Sequence, residues 1–147
     1  MKKLIVSFCA VFLFAYANEQ VTPQVMPDYA KALEARMAPI EQEYAKMASN
    51  AQTTVDSIEA NNFAIDKWDA ELNKVYQLLM SSLNEDEKAK LRQKQRAWIK
   101  KRNAKVMQEA KQEGTMYRIT SGSIFLEETQ KRTKELAKMY DNLRITH

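Results

Sequence analysis

Apolar side chains recur at steps of three and four along most of the chain. Leu33, Met37, Ile40, Tyr44 and Met47 form the first stripe, behind Asp28, whose short carboxylate suits a helix N-cap. This stripe crosses Pro39. Proline lacks a backbone donor and crowds the preceding turn, so a kink is expected there, or a break between two short helices. Ile58, Ile65, Trp68, Leu72, Tyr76, Leu79 and Leu83 predict a second helix from about Thr54 to Ser82. Asn84 follows, in N-E-D-E. Its side chain and that of Glu87 form a capping box that opens a third helix, running to about Gln112. Gly114 to Ser123, GTMYRITSGS, reads as the one loop of any size. Ser123 is then the N-cap of a fourth helix, on which Phe125, Thr129, Arg132, Leu136, Tyr140 and Leu143 share a face.

No segment alternates apolar and polar residues between turn signals, and only two glycines and three prolines interrupt a helix-favouring composition. Short connections between long amphipathic helices make antiparallel neighbours. The predicted fold class is therefore all-α: an antiparallel up-and-down bundle of about four helices with a kink or break at Pro39.

The amino terminus changes where this bundle is expected to work. Lys2 and Lys3, an apolar run from Leu4 to Phe14 and the small-x-small site Ala15-Tyr16-Ala17 have the layout of a secretory signal peptide. The run is too short to span a bilayer, which takes roughly 20 residues. Cleavage is expected after Ala17, giving a soluble periplasmic or secreted protein that begins at Asn18. Cys9 follows the bulky Phe8, where a lipoprotein signal needs a small residue, so lipid anchoring is not expected. Removal of the leader also removes the only cysteine, leaving a core held by packing alone. The expected organisation is a signal peptide over residues 1–17, a linker and N-terminal helical extension over 18–47, and a helical domain over 48–147.

Composition alone makes the stretch RQKQRAWIKKRNAK, residues 92–105, look like an arginine-rich nucleic-acid helix. Placed on a helix at about 100° per residue, it reads differently. Leu91, Gln95, Trp98, Ile99, Arg102 and Val106 fall on the inward face, while Arg92, Lys94, Arg96, Lys100, Lys101 and Lys105 spread widely round the outside. Arg102 lies in the middle of the inward stripe, where an unpaired charge costs several kcal/mol. Asp69 borders the buried face of the second helix near Tyr76 and is the expected partner. Arg132 and the Gln95 amide pose the same problem, and a satisfied internal network is the expected answer.

Three segments carry a resemblance: DKWDAELNKVYQLLMSSL, KAKLRQKQRAWIKKRNAK and TQKRTKEL. They resemble the LprI-like lysozyme-inhibitor domain family of exported bacterial proteins, over about residues 48 to 140. The family pattern falls on Asp69, Leu72, Asn73 and Tyr76, then on Leu91, Gln95, Arg96, Ala97, Trp98, Ile99, Arg102, Asn103 and Ala104, and finally on Thr129, Arg132 and Leu136. Many members carry cysteines at positions near Ala48, Ala60, Val106 and Ile124, where this chain has small or apolar residues. The resemblance implies a helical domain that inhibits c-type lysozyme by occupying its substrate cleft. An envelope scaffold or adaptor is the alternative.

Candidate chemistry favours binding over catalysis. The expected mature chain has one histidine, His147, no cysteine, no Gly-rich phosphate loop and no glycine-framed serine. No cofactor and no metal site are expected; Glu85, Asp86 and Glu87 read as helix capping. Nucleic acid is not an expected partner, because Trp98 points inward and the charge without the leader is nearly balanced; attraction of the basic exterior to anionic lipid is a lesser alternative. A protein partner is expected, with lysozyme implied by the resemblance. A plug for an acidic cleft needs donors or a cation, and the predicted loop offers Tyr117, Arg118, Thr120 and Ser121 beside Met116. The near balance of charge lends no long-range attraction to a cationic lysozyme.

Overall fold

The computed structural model describes residues 28–110 and 116–145. The predicted leader and the end of the third helix beyond residue 110, with Gly114, lie outside the described residues. Four α-helices and no strand are present among them: α1 (Tyr29–Asn50), α2 (Thr54–Ser82), α3 (Glu85–Glu109) and α4 (Met116–Ile145). Each of the first three starts where its capping chemistry dictates. Asp28 accepts from the backbone N–H groups of Ala30 and Lys31, while Asp141 of α4 accepts from Tyr29 and Ala30. Thr53 with Asp56, and Asn84 with Glu87, form complete capping boxes. At Pro39, α1 continues as one helix, so the break into two short helices does not occur.

Chain directions follow from which ends meet. Asn61, near the start of α2, donates to the carbonyl of Ile119, near the start of α4, at 2.9 Å, so these helices run parallel. Tyr29, at the start of α1, meets Asp141, near the end of α4, and Lys105, late in α3, meets Glu128, early in α4. The bundle is thus up-and-down, with α1 and α3 antiparallel to α4. The most extensive contact is between α2 and α4; α1 packs on both, and α3 makes extensive contact with α4 alone. The two-residue turn at 83–84 sets the direction of α3 without bringing it fully against α2. Only Leu91 and Arg102 of α3 are buried, so it has too little apolar surface to cover a second helix.

Leu33 and Met37 of α1 enter the same core as Trp68, Leu72, Val75 and Leu79 of α2, Leu91 of α3, and Leu126, Leu136 and Ala137 of α4. Ala64 belongs to this core as well, and with buried Ala60 it keeps the surface of α2 low. Tyr29 packs edge-on against Tyr140, and Arg36 crosses to Glu71 at 2.8 Å, a bond that holds the Glu71 carboxyl below the usual carboxylate range.

Gly122 of α4 sits close against Asn61 of α2. A Cβ there would lie 2.8 Å from Asn61 Nδ2, the atom that donates to Ile119. Gly122→Ala gains about 1 kcal/mol of helix propensity but crowds a buried amide that bonds Ile119, Ser123 and Tyr44. The expected net loss is about 1–2 kcal/mol in urea unfolding; an alanine variant more stable than the parent contradicts this close approach.

Candidate functional site

Of the residues on which the resemblance rests, Gln95, Trp98, Arg102, Thr129 and Arg132 meet along the seam where α3 crosses α4, while Asp69, Asn73 and Tyr76 lie on α2. Arg102 is buried between two aromatic rings, its guanidinium carbon 3.8 Å from the centroid of Phe125 and 4.7 Å from that of Trp98. Its Nη1 donates to Thr129 Oγ1 at 3.4 Å and its Nε to Asn103 at 3.3 Å. The expected direct pair with Asp69 is not formed. Asp69 instead accepts from Asn73, four residues on, at 3.0 Å. Burial lowers the Arg102 pKa, and the charge of Asp69 opposes that shift through space. The negative faces of two rings do much of what a bonded carboxylate was expected to do.

Arg132 meets Gln95 on the same seam. Its Nε donates to Gln95 Oε1 at 2.9 Å and its Nη1 to Glu135 at 3.0 Å, whereas the buried Nη2 has no partner. Trp98 and Tyr76 are half-buried, and Arg96 and Asn73 are exposed. Ile99 departs from the inward face assigned to it and is 39% exposed, because α3 turns only a narrow strip toward α4.

The predicted contact loop is corrected by the structure. Met116, Tyr117, Arg118, Thr120 and Ser121 all lie in the first turns of α4, and Ser123 is inside that helix, not its N-cap. The hydroxyls responsible for the loop reading satisfy the backbone instead. Thr120 donates to the Met116 carbonyl, Ser123 to that of Ile119, and Ser121 crosses to the Val106 carbonyl of α3. Gly122 serves close helix packing, so its turn signal is misleading.

Sequence reasoning missed Asn61, Thr133, Leu126 and Ala137, all buried. The α4 stripe was read along one row of positions, while α4 in fact faces three helices and buries a wider arc. Asn61 falls on the α2 stripe, three residues after Ile58 and four before Ile65, and its polar side chain is what hid it from an apolar count.

Three of the exposed large apolar residues gather at one end of the bundle, while Ile145, 82% exposed, lies at the other. Val55 at the start of α2, Met107 late in α3 and Met116 at the start of α4 are 61%, 67% and 68% exposed. Parallel α2 and α4 begin at this end and α3 finishes there, so all three belong to one region, with exposed Arg118 and half-buried Tyr117 beside them. Among the described residues no group of three or more His, Cys, Asp or Glu side chains is placed to hold a metal ion. None of the described helices is long and apolar enough to cross a membrane.

Comparison with known proteins gives one result. A family model described as "Lysozyme inhibitor LprI" matches residues 45–136, from the end of α1 to the middle of α4, and the description is of an inhibitor, not an enzyme. No curated protein and no solved structure matches significantly. The matched segment spans well over half of the chain and contains Asp69 together with Gln95, Trp98, Arg102 and Arg132, the last four of which tie α3 to α4. The chain belongs to the lysozyme inhibitor LprI family.

Proposed function

We propose that the protein is exported, loses residues 1–17 after Ala17, and works in the periplasm or outside the cell by binding and inhibiting a c-type lysozyme. The observation that carries this reading is the family match over residues 45–136. The charge distribution supports it. Residues 28–83 carry nine acids against five bases, so the α1–α2 side offers a cationic enzyme an attraction that the net charge conceals.

The contact site in this proposal is the end of the bundle that exposes Val55, Met107 and Met116. An enzyme cleft that holds paired carboxylates is blocked by a cation flanked by apolar anchors. Arg118, with Met116 and Tyr117, supplies that combination on a helix terminus. Thr120 and Ser121 are engaged with backbone carbonyls, so their part is to shape the terminus. Asp69, Asn73, Tyr76, Gln95, Trp98, Arg102 and Arg132 hold the scaffold and do not themselves reach the enzyme, and Arg96 stands exposed on the side of α3.

Titration calorimetry of the protein into a c-type lysozyme tests the reading, with saturable binding expected. Met116→Ser combined with Arg118→Glu removes an anchor and reverses the cation, and is expected to weaken binding by roughly tenfold to a hundredfold. Absence of heat from the parent protein overturns the function; unchanged affinity in the double variant overturns the assigned surface.

A further inference from the structure

Charge is divided sharply between α3 and the rest of the molecule. Residues 88–108 carry nine bases and no acid, while the other described residues carry eleven bases against seventeen acids. Because α3 makes extensive contact with α4 alone, one long side of it remains open. Arg92, Arg96 and Lys100 stand there at successive four-residue steps, all exposed, in a row about 12 Å long. Arg96 and Lys100 make no ion pair among the described residues, and Arg92 reaches Glu85 only at 3.9 Å. Ile99 and Met107, 39% and 67% exposed, lie within about 100° of helix circumference with this row.

Long cationic side chains beside exposed apolar ones suit the boundary of a bilayer. The cations reach the headgroups while the apolar groups and the methylene stems enter the acyl margin. Nucleic acid fits less well, because Trp98 lies against Arg102 in the α3–α4 seam and no aromatic residue stands on the open row to stack on a base. We propose that the open face of α3, bearing Arg92, Arg96, Ile99, Lys100 and Met107, binds an anionic phospholipid surface. This face meets the end of the bundle assigned to lysozyme only at Met107, and its cationic row of Arg92, Arg96 and Lys100 stands apart from that end. Binding to lipid therefore stands or falls independently of inhibition.

Co-sedimentation of the protein beginning at Asn18 with phosphatidylglycerol vesicles, against phosphatidylcholine vesicles, tests the proposal. Partition onto phosphatidylglycerol alone is expected, weakening as salt is raised. Each base at such a surface strengthens partition roughly fivefold, so Arg96→Gln with Lys100→Gln is expected to weaken it on the order of 30-fold. Ile99→Ser with Met107→Ser weakens it as well, and Lys67→Gln with Lys74→Gln on α2 leaves it unchanged. The proposal is overturned by failure to bind phosphatidylglycerol or by equal binding to phosphatidylcholine. It is equally overturned by parental binding in the Arg96 and Lys100 variant, by parental binding in the Ile99 and Met107 variant, by a loss in the α2 control, or by tighter binding to a single-stranded oligonucleotide than to the vesicles.

Discussion

Trp68→Ala is expected to lower the unfolding free energy by about 3–5 kcal/mol, the largest loss from any single substitution in the bundle. Trp68 is 1% exposed and is the bulkiest of the fully buried side chains. It lies on α2 with Lys134 of α4 over its ring at 5.4 Å, so its removal opens a cavity at the most extensive helix contact in the fold. Its indole Nε1 is buried without a hydrogen-bond partner among the described residues. Trp68→Phe therefore sacrifices no bond and leaves only a smaller void, costing about 1–2 kcal/mol. Urea unfolding of both variants checks the pair. Equal losses for alanine and phenylalanine would mean that the indole N–H, and not the volume of the ring, matters.

Arg102→Ala is expected to cost about 2–4 kcal/mol, since it empties the space between Trp98 and Phe125 and removes two cation–π contacts. Arg102→Met is the informative companion. With no carboxylate bonded to the guanidinium, replacing it by an unbranched apolar chain strands no opposite charge and removes the desolvation cost of burying a cation. A loss below about 1.5 kcal/mol is expected for methionine. Had Asp69 been a bonded partner, methionine would cost as much as alanine or more, because a buried carboxylate would be left behind. A methionine variant as unstable as the alanine variant contradicts the aromatic sandwich as the main support of this cation.

The four helices and the starts of the first three were legible because local chemistry specifies them. The Asn84–Glu87 capping box and the stripe through Trp68, Leu72 and Leu79 need no information from distant residues. The inward placement of Arg102 was legible for the same reason, from spacing alone. Its partner was not, because aromatic faces compete with Asp69 for the guanidinium and only three-dimensional packing decides between them. The start of α4 was misread at Ser121, Gly122 and Ser123. Each carries a turn signal locally; Ser121 and Gly122 are recruited by tertiary contact with Val106 and Asn61, and Ser123 bonds the Ile119 carbonyl one turn back on its own helix. Ile99 was placed inside on periodicity, yet α3 contacts one helix extensively, not two, and leaves it at the surface.

The candidate site divides along the same line. Residues on which the sequence resemblance rests, such as Gln95, Trp98, Arg102 and Arg132, meet along the α3–α4 seam, and their inward placement was readable from spacing. The proposed contact surface is assembled from the ends of three helices, at Val55, Met107 and Met116, and no local pattern links those positions. This separation of scaffold from contact surface predicts that seam variants lose stability, while variants at the exposed end lose binding and stay folded.

The central claim is inhibition, and its most direct test follows the turbidity of bacterial cell walls during digestion by a c-type lysozyme as the protein from Asn18 to His147 is added. The account predicts that clearing slows in proportion to the protein added and stops once the enzyme is saturated. Unchanged clearing at a large molar excess of folded protein would contradict it.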